Sequence, residues 1–253
     1  MKAARLLALA LGTLTGIAHA APVPAPVRQD SPTLLAAIPD DQRADFFAGK
    51  RVYTFAPLER SDEPKGLILE SLSLVVSPKS PASFTKLLRA VESYPEWVSL
   101  SPTYKHVRVR GTDAISCETG RSSSPKAQRI LPYRVSHADD VLAWTLETNG
   151  TPIKAGSSVS FEVRPGPDGQ GTLLLHRQSV RLPSRGRLTK YLRSHDKKGR
   201  HRFWKDVDKH ARRMHWAMVA ALVHPAGTDR QALYVEHYQR DFGGVPWWAE
   251  RNR

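Results

Sequence analysis

The chain has 253 residues, 38 Lys and Arg against 24 Asp and Glu for a formal charge of +14, and one cysteine. That length is ample for a single large core, one thiol excludes an intramolecular disulfide framework, and the surplus of cations favours anionic partners. No stretch after the N-terminus is apolar over the roughly 20 residues that a membrane-spanning helix needs.

Residues 1–20, MKAARLLALALGTLTGIAHA, have the parts of a secretory signal: Lys2 and Arg5, an apolar run from Leu6 to Ile17, and the small-x-small site Ala18-His19-Ala20. Export is therefore expected, to the periplasm or the medium, with cleavage after Ala20. An uncleaved anchor is the alternative. Loss of Lys2 and Arg5 lowers the charge from +14 to +12. Residues 21–37 open on APVPAPVRQDSPT and read as a flexible lead, leaving 38–253 as one domain.

Residues 40–48 predict a short helix, with Asp residues at its start and Gly49 after its end. Arg51–Leu58 and Gly66–Val76 have strand composition. In the second, Leu67, Leu69, Ser71, Ser73 and Val75 share one face, and Ile68, Glu70, Leu72, Leu74 and Val76 the other. Ser80 and Pro81 suit a helix cap and first position, and Phe84, Leu87, Leu88 and Val91 then form one apolar stripe. Pro95 breaks that helix and leaves an aromatic corner at Tyr94-Pro95-Glu96-Trp97. Strands are expected at Lys105–Arg110, Ala114–Glu118, Arg129–Ser136, Val141–Thr148, Ser158–Arg164 and Thr172–Leu182, an antiparallel meander with turn chemistry at Asn149-Gly150 and Pro167-Asp168-Gly169.

Residues 204–223 support two readings. Val207, Ala211, Met214, Met218 and Ala221 repeat at helical spacing, yet Arg212–Val223 and Gln231–Gln239 around Pro225-Ala226-Gly227-Thr228-Asp229 also read as a hairpin. The expectation is a helical insertion to about Ala211 and strands thereafter. Pro246 can open a last helix of about two turns.

The segment IPDDQRADFFAGKRVYTF and then GLILESLSLVVSPKSPASFTKLLRAVESYPEWVSLSPTYKHVRV resembles the START-like (steroidogenic-acute-regulatory-related lipid-transfer) superfamily, in particular bacterial polyketide cyclase-like and coenzyme-Q-binding-like proteins. The carrying features are a strand, a Pro-led helix, a Tyr-Pro-x-Trp corner and a following strand, with RDFGGVPWWAERNR resembling the family's Gly-Gly-x-Pro approach to its last helix. The family's long last helix usually continues well past that Pro; a short helix, a truncated product, or a substitute supplied by residues 204–223 are the alternatives here. The resemblance implies an α+β helix-grip fold: a curved antiparallel sheet around a helix, with an apolar cavity between them.

On that frame the expected cavity residues are Tyr94, Trp97, Trp144, Leu146, Phe161 and Val163, with Trp216, Met218 and Tyr234 added if 212–223 is a strand. The plainer alternative is that these rings fill a core. No motif for nucleophilic, metal or phosphate chemistry is present. His195, His201, His210, His215 and His224 lie among cations at spacings unsuited to one helical turn, so surface or partly packed histidines are expected and no metal. Asp40-Asp41 and Asp139-Asp140 read as caps or turns, Cys117 as a buried small hydrophobe, and Arg177 and Glu147 as candidate inward polar residues. Residues 184–213 hold twelve Lys or Arg against three Asp, with Tyr191, Phe203 and Trp204 among them. Arg185, Arg187, Lys190, Arg193 and Trp204 are thus candidate contacts to an anionic membrane, a solvated face being the alternative and nucleic acid not expected. The sequence reading is an exported, non-catalytic START-like protein that binds an apolar, lipid or isoprenoid-like ligand and needs no cofactor. Its alternatives are a cyclase/aromatase-type enzyme and a structural envelope protein with a filled core.

Overall fold

The computed structural model describes residues 30–55, 58–62, 66–104, 106–119, 129–148, 153–183, 197–223, 229–246 and 249. The expected signal segment, the turn expected at Asn149-Gly150, the cations at 185–193 and nearly all of the last segment after Pro246 lie outside them.

Among the described residues two short helices come first, α1 (Ser31–Ala36) and α2 (Asp40–Phe47). The backbone N–H of Thr33 donates to the Asp30 carboxylate at 2.7 Å, which caps α1. Residues 31–36, expected as part of a flexible lead, are therefore helical, because Asp30 and Pro32 together make a start signal. Asp40 and Asp41 sit in the first turn of α2, where the helix dipole favours them.

Among the described residues nine strands follow in one antiparallel sheet: β1 (Tyr53–Thr54), β2 (Leu58–Asp62), β3 (Gly66–Ser77), β4 (His106–Arg110), β5 (Ala114–Thr119), β6 (Arg129–Ala138), β7 (Val141–Leu146), β8 (Ser158–Pro165) and β9 (Thr172–Pro183). The spatial order is β1-β3-β9-β8-β7-β6-β5-β4, with β2 also on β3. The first long strand thus pairs with the last, Ser73 opposite His176 and Ser71 opposite Gln178. The stretch Arg51–Leu58 breaks into β1 and the start of β2. Two of the described turns have a clear local reason. Asp139 adopts φ 50° between β6 and β7, a left-handed geometry that Asp tolerates. Gly171 has φ +65°, and a Cβ there would lie 2.2 Å from the Ser77 carbonyl oxygen.

Between β3 and β4 the chain forms α3 (Pro81–Arg89), a 3₁₀ turn (Val91–Ser93), α4 (Tyr94–Trp97) and a second 3₁₀ turn (Val98–Leu100). The Ser80 hydroxyl accepts from the Ser83 N–H at 3.3 Å, and Phe84 and Leu88 are buried. After β9 come α5 (Lys197–Val223) and α6 (Asp229–Phe242).

These two helices overturn the expected hairpin. Ala211, Met214, Met218 and Ala221 obey the helical repeat, and the run looks apolar all round because α5 is covered on two sides, by the sheet and by α6. The strand placement of Trp216, Met218 and Tyr234 falls with it.

The sheet has two apolar faces. Leu67, Leu69 and Val75 of β3 join Leu174, Val180 and Leu182 of β9 in the main core beneath α3, α4 and α5. On the other face Leu74, Leu173 and Leu175 meet Leu34, Ile38 and Phe46, so α1 and α2 cover the convex side. Arg164 joins these layers: it pairs with Glu162 at 2.7 Å and donates to the Ser31 hydroxyl at 3.1 Å.

Candidate functional site

The concave side of the sheet is aromatic. Trp144 of β7 meets Tyr94 with ring centres 5.3 Å apart, Phe161 at 5.6 Å, Trp97 at 6.3 Å and Tyr133 at 6.4 Å. Period-2 alternation delivers Trp144 and Leu146 from β7 and Phe161 and Val163 from β8 to this one side. The corner after α3 brings Tyr94 and Trp97 to the same place, and the Tyr94 hydroxyl donates to the Leu88 carbonyl, closing the turn. Opposite them α5 contributes Ala211, Met214, Ala217, Met218 and Ala221. Trp97, Trp144 and Phe161 are 0% exposed, so the rings pack against one another with no room for a water molecule beside them.

All nine residues expected at a cavity are buried in the main core, but not in one spot. Tyr94, Trp97, Trp144 and Phe161 form the aromatic belt. Val163 reaches the rim, where it lines an open surface groove of about 530 Å³ with Thr85, Lys86, Arg89, Asp140 and Pro165. Trp216 belongs to the joint between α5 and α6. Its ring stacks on His237 at 4.1 Å and beneath the Arg240 guanidinium at 4.7 Å, and its indole N–H donates to Asp241 at 2.5 Å.

One end of the interior is polar. Asp208 of α5 accepts from the Thr54 hydroxyl at 2.7 Å, and Thr54 lies 2.9 Å from the Ser73 hydroxyl. A carboxylate only accepts, so Thr54 gives its proton to Asp208 and Ser73 donates to Thr54. Asp208 is also paired with Arg212. Next to this chain lie His176, stacked on Phe161 with ring centres 4.8 Å apart and planes 5° from parallel, and Gln178, two residues along the same face. His210 approaches from α5, its ring centre 5.9 Å from that of His176 and its Nδ1 3.2 Å from the Thr103 hydroxyl. Burial, then the proximity of His210 and His215, holds His176 well below the usual imidazole range. Burial, then the charge of Arg213, pushes His210 down to about 3. Both rings are neutral at pH 7. Among the described residues neither nitrogen of His176, neither amide atom of Gln178 nor Nε2 of His210 has a hydrogen-bond partner. Each such atom costs about 1–3 kcal/mol in a folded interior.

Sequence reasoning missed this cluster: it expected surface or partly packed histidines at His210 and His215 and did not single out His176, and all three are buried. The signal was present in Thr172–Leu182, where His176 and Gln178 interrupt an inward row of Leu174, Val180 and Leu182. Arg177 and Glu147 do not point inward. Arg177 shares the convex parity of Leu173 and Leu175, and Glu147 pairs at 3.0 Å with the exposed Arg134. Cys117 is buried, as read, and burial pushes its thiol up. Among the described residues no group of three His, Cys, Asp or Glu is placed to hold a metal ion.

The basic stretch divides. Arg185, Arg187, Lys190 and Arg193 are outside the described residues, as is the side chain of Trp204. Lys209, Arg212 and Arg213 are within them, and their cations lie over the Phe242 ring at 5.0, 5.3 and 5.6 Å. That part of the run binds α6 to α5 rather than forming a free cationic face.

The first long strand pairs with the last, two short helices interrupt the chain between β3 and β4, and a long C-terminal helix fills the concave face. This is the helix-grip arrangement that the sequence resemblance implied. No protein-family model and no curated protein matches the sequence. Solved structures similar to the chain include a START superfamily protein of Mycobacterium smegmatis (16% identity, 57% of this chain and 93% of that one, TM-score 0.41) and the Zhui aromatase/cyclase of Streptomyces sp. R1128 (12%, 70% and 99%, 0.42). A third is the di-domain aromatase/cyclase StfQ of the steffimycin biosynthetic pathway (10%, 64% and 52%, 0.46).

Proposed function

We propose that the protein is an exported, non-catalytic carrier that takes an apolar, lipid or isoprenoid-like ligand between the concave sheet and α5. The observation that carries this reading is the inward wall of α5: Ala211, Met214, Ala217, Met218 and Ala221 face an aromatic belt where Leu or Phe would give a rigid core. Alanine leaves room for a ligand once α5 moves, and methionine re-packs through three rotatable bonds. Because the belt is closed, the ligand gains its volume by displacing Met214 and Met218. A ligand burying about 300 Å² would gain roughly 7 kcal/mol before ordering costs.

The absence of catalysis is supported by the same burial. An imidazole pushed to about 3 is too weak a base for proton abstraction near pH 7, and a thiol pushed upward by burial is not a thiolate nucleophile. The cyclase-type reading draws on the same pair, His176 and His210. Recovery of bound ligand unchanged supports the carrier, and turnover supports the enzyme. Export rests on residues 1–20, and exported protein should begin at Ala21 on N-terminal sequencing; a chain still beginning at Met1 contradicts it. The cations at 185–193 would hold the carrier against anionic lipid during exchange.

The direct test is titration with the neutral apolar fluorophore N-phenyl-1-naphthylamine. Saturable one-to-one binding is expected, with weaker binding to Met218→Phe, which fills the space Met218 can vacate. Absence of saturable binding contradicts the proposal.

A further inference from the structure

His176 and Gln178 stand two residues apart on β9, on one face, opposite Ser73 and Ser71 of β3. His210 reaches toward them from α5, 5.9 Å from His176 between ring centres. The three are 5%, 3% and 3% exposed, and five of their polar atoms have no hydrogen-bond partner among the described residues. Such atoms also occur elsewhere among the described residues, on Trp97, Thr145 and His237 among others, but these five stand together at the polar end of the interior between the sheet and α5.

We propose that His176, Gln178 and His210 bind the polar end of the apolar ligand, a neutral group that both donates and accepts hydrogen bonds, such as a hydroxyl. This rests on the apolar-ligand reading above and adds the ligand's chemical class. A neutral imidazole offers one N–H and one bare nitrogen, and a glutamine amide offers both donors and an acceptor. The cluster can therefore give a bond to the hydroxyl oxygen and take one from its proton. Thr103 orients His210 through Nδ1; whichever role Nδ1 takes, Nε2 takes the other. An anionic headgroup fits poorly. The cations nearby are engaged, Arg212 with Asp208 and Arg213 with the Tyr238 hydroxyl at 3.0 Å, and burial disfavours protonation of either imidazole. The aliphatic remainder would lie along Phe161 and Trp144, since Phe161 stacks directly on His176.

Isothermal titration of the whole mature chain at pH 7 with dodecane, dodecan-1-ol and dodecanoate separates these terms at constant chain length. The alcohol is expected to bind at least tenfold more tightly than the alkane, about 1.4 kcal/mol, and dodecanoate no more tightly than the alkane. His176→Phe and Gln178→Met, made singly, should bring the alcohol-to-alkane ratio toward one. Neither should lower the urea midpoint, because each replaces an unpartnered polar group by an apolar one of similar shape. Alkane binding without preference for the alcohol, or a preference that survives both substitutions, overturns the polar-end site and leaves the apolar-ligand reading standing. Tightest binding by dodecanoate overturns the neutral class. Failure of all three compounds to bind removes the apolar-ligand reading and this inference with it.

Discussion

Truncating Trp144 to alanine probes the aromatic belt at its centre. The residue sits opposite Val135 and Val159 in the sheet, is 0% exposed, and meets four aromatic rings within 6.4 Å. A buried Trp removes about 150–250 Å² from water, worth about 4–6 kcal/mol at 25 cal/mol per Å². Partial collapse of the surrounding side chains brings the expected loss to about 3–5 kcal/mol. In urea, with a slope of about 3 kcal/mol per M, the midpoint should fall by about 1–1.7 M while the slope stays constant. The vacated space adjoins Phe161, so the folded variant should take up N-phenyl-1-naphthylamine more tightly than the parent. A loss below about 1.5 kcal/mol would mean that the ring faces open space, and the description of a closed belt would be refuted.

Three other outcomes are expected. His176, His210 and His215 titrate below their unfolded value of 6.5, so the native state refuses protons that the unfolded chain accepts; the stability is complete above pH 6.5 and is lost as the pH falls toward 3, by up to roughly 4 kcal/mol per pH unit for the three together. Urea midpoints at pH 7, 6 and 5 should record this, with a shallower decline in His210→Gln, and equal midpoints at pH 7 and 5 would contradict it. Trp216→Ala removes the His237 stack, the Arg240 contact and the bond to Asp241, so it should cost about 3 kcal/mol or more and accelerate amide exchange across 229–242 ahead of the sheet; uniform exchange would contradict the joint. Replacing Arg185, Arg187, Lys190 and Arg193 together with Gln should weaken binding to anionic vesicles sharply at low salt, at on the order of 1 kcal/mol per cation, whereas unchanged binding would leave a solvated loop.

Most of the sheet and the helices α2 and α3 were legible because their signals are local. Ser80-Pro81 opens α3, alternating Leu and Ser residues set the faces of β3, and turn residues separate the hairpins. The failures lie where identity depends on distant partners. Residues 212–223 passed for a strand because a helix buried on two sides loses its polar stripe, and Tyr234 and Tyr238 gave α6 the aromatic content of a strand. Trp97, Trp144 and Phe161 were recognised as inward, but whether inward rings pack together or line a space depends on how closely α5 approaches. The polar cluster was readable only as an anomaly, two polar residues in the inward row of β9. Its third member comes from α5, 34 residues after His176, and no spacing in the sequence joins them.

The most direct test of the carrier is native mass spectrometry of the protein purified from its own host, followed by solvent extraction. A one-to-one noncovalent adduct that is apolar, bears a hydroxyl-type group and is released unchanged is the predicted result. A bare-chain mass alone, or a bound molecule that the protein converts on incubation, would contradict it.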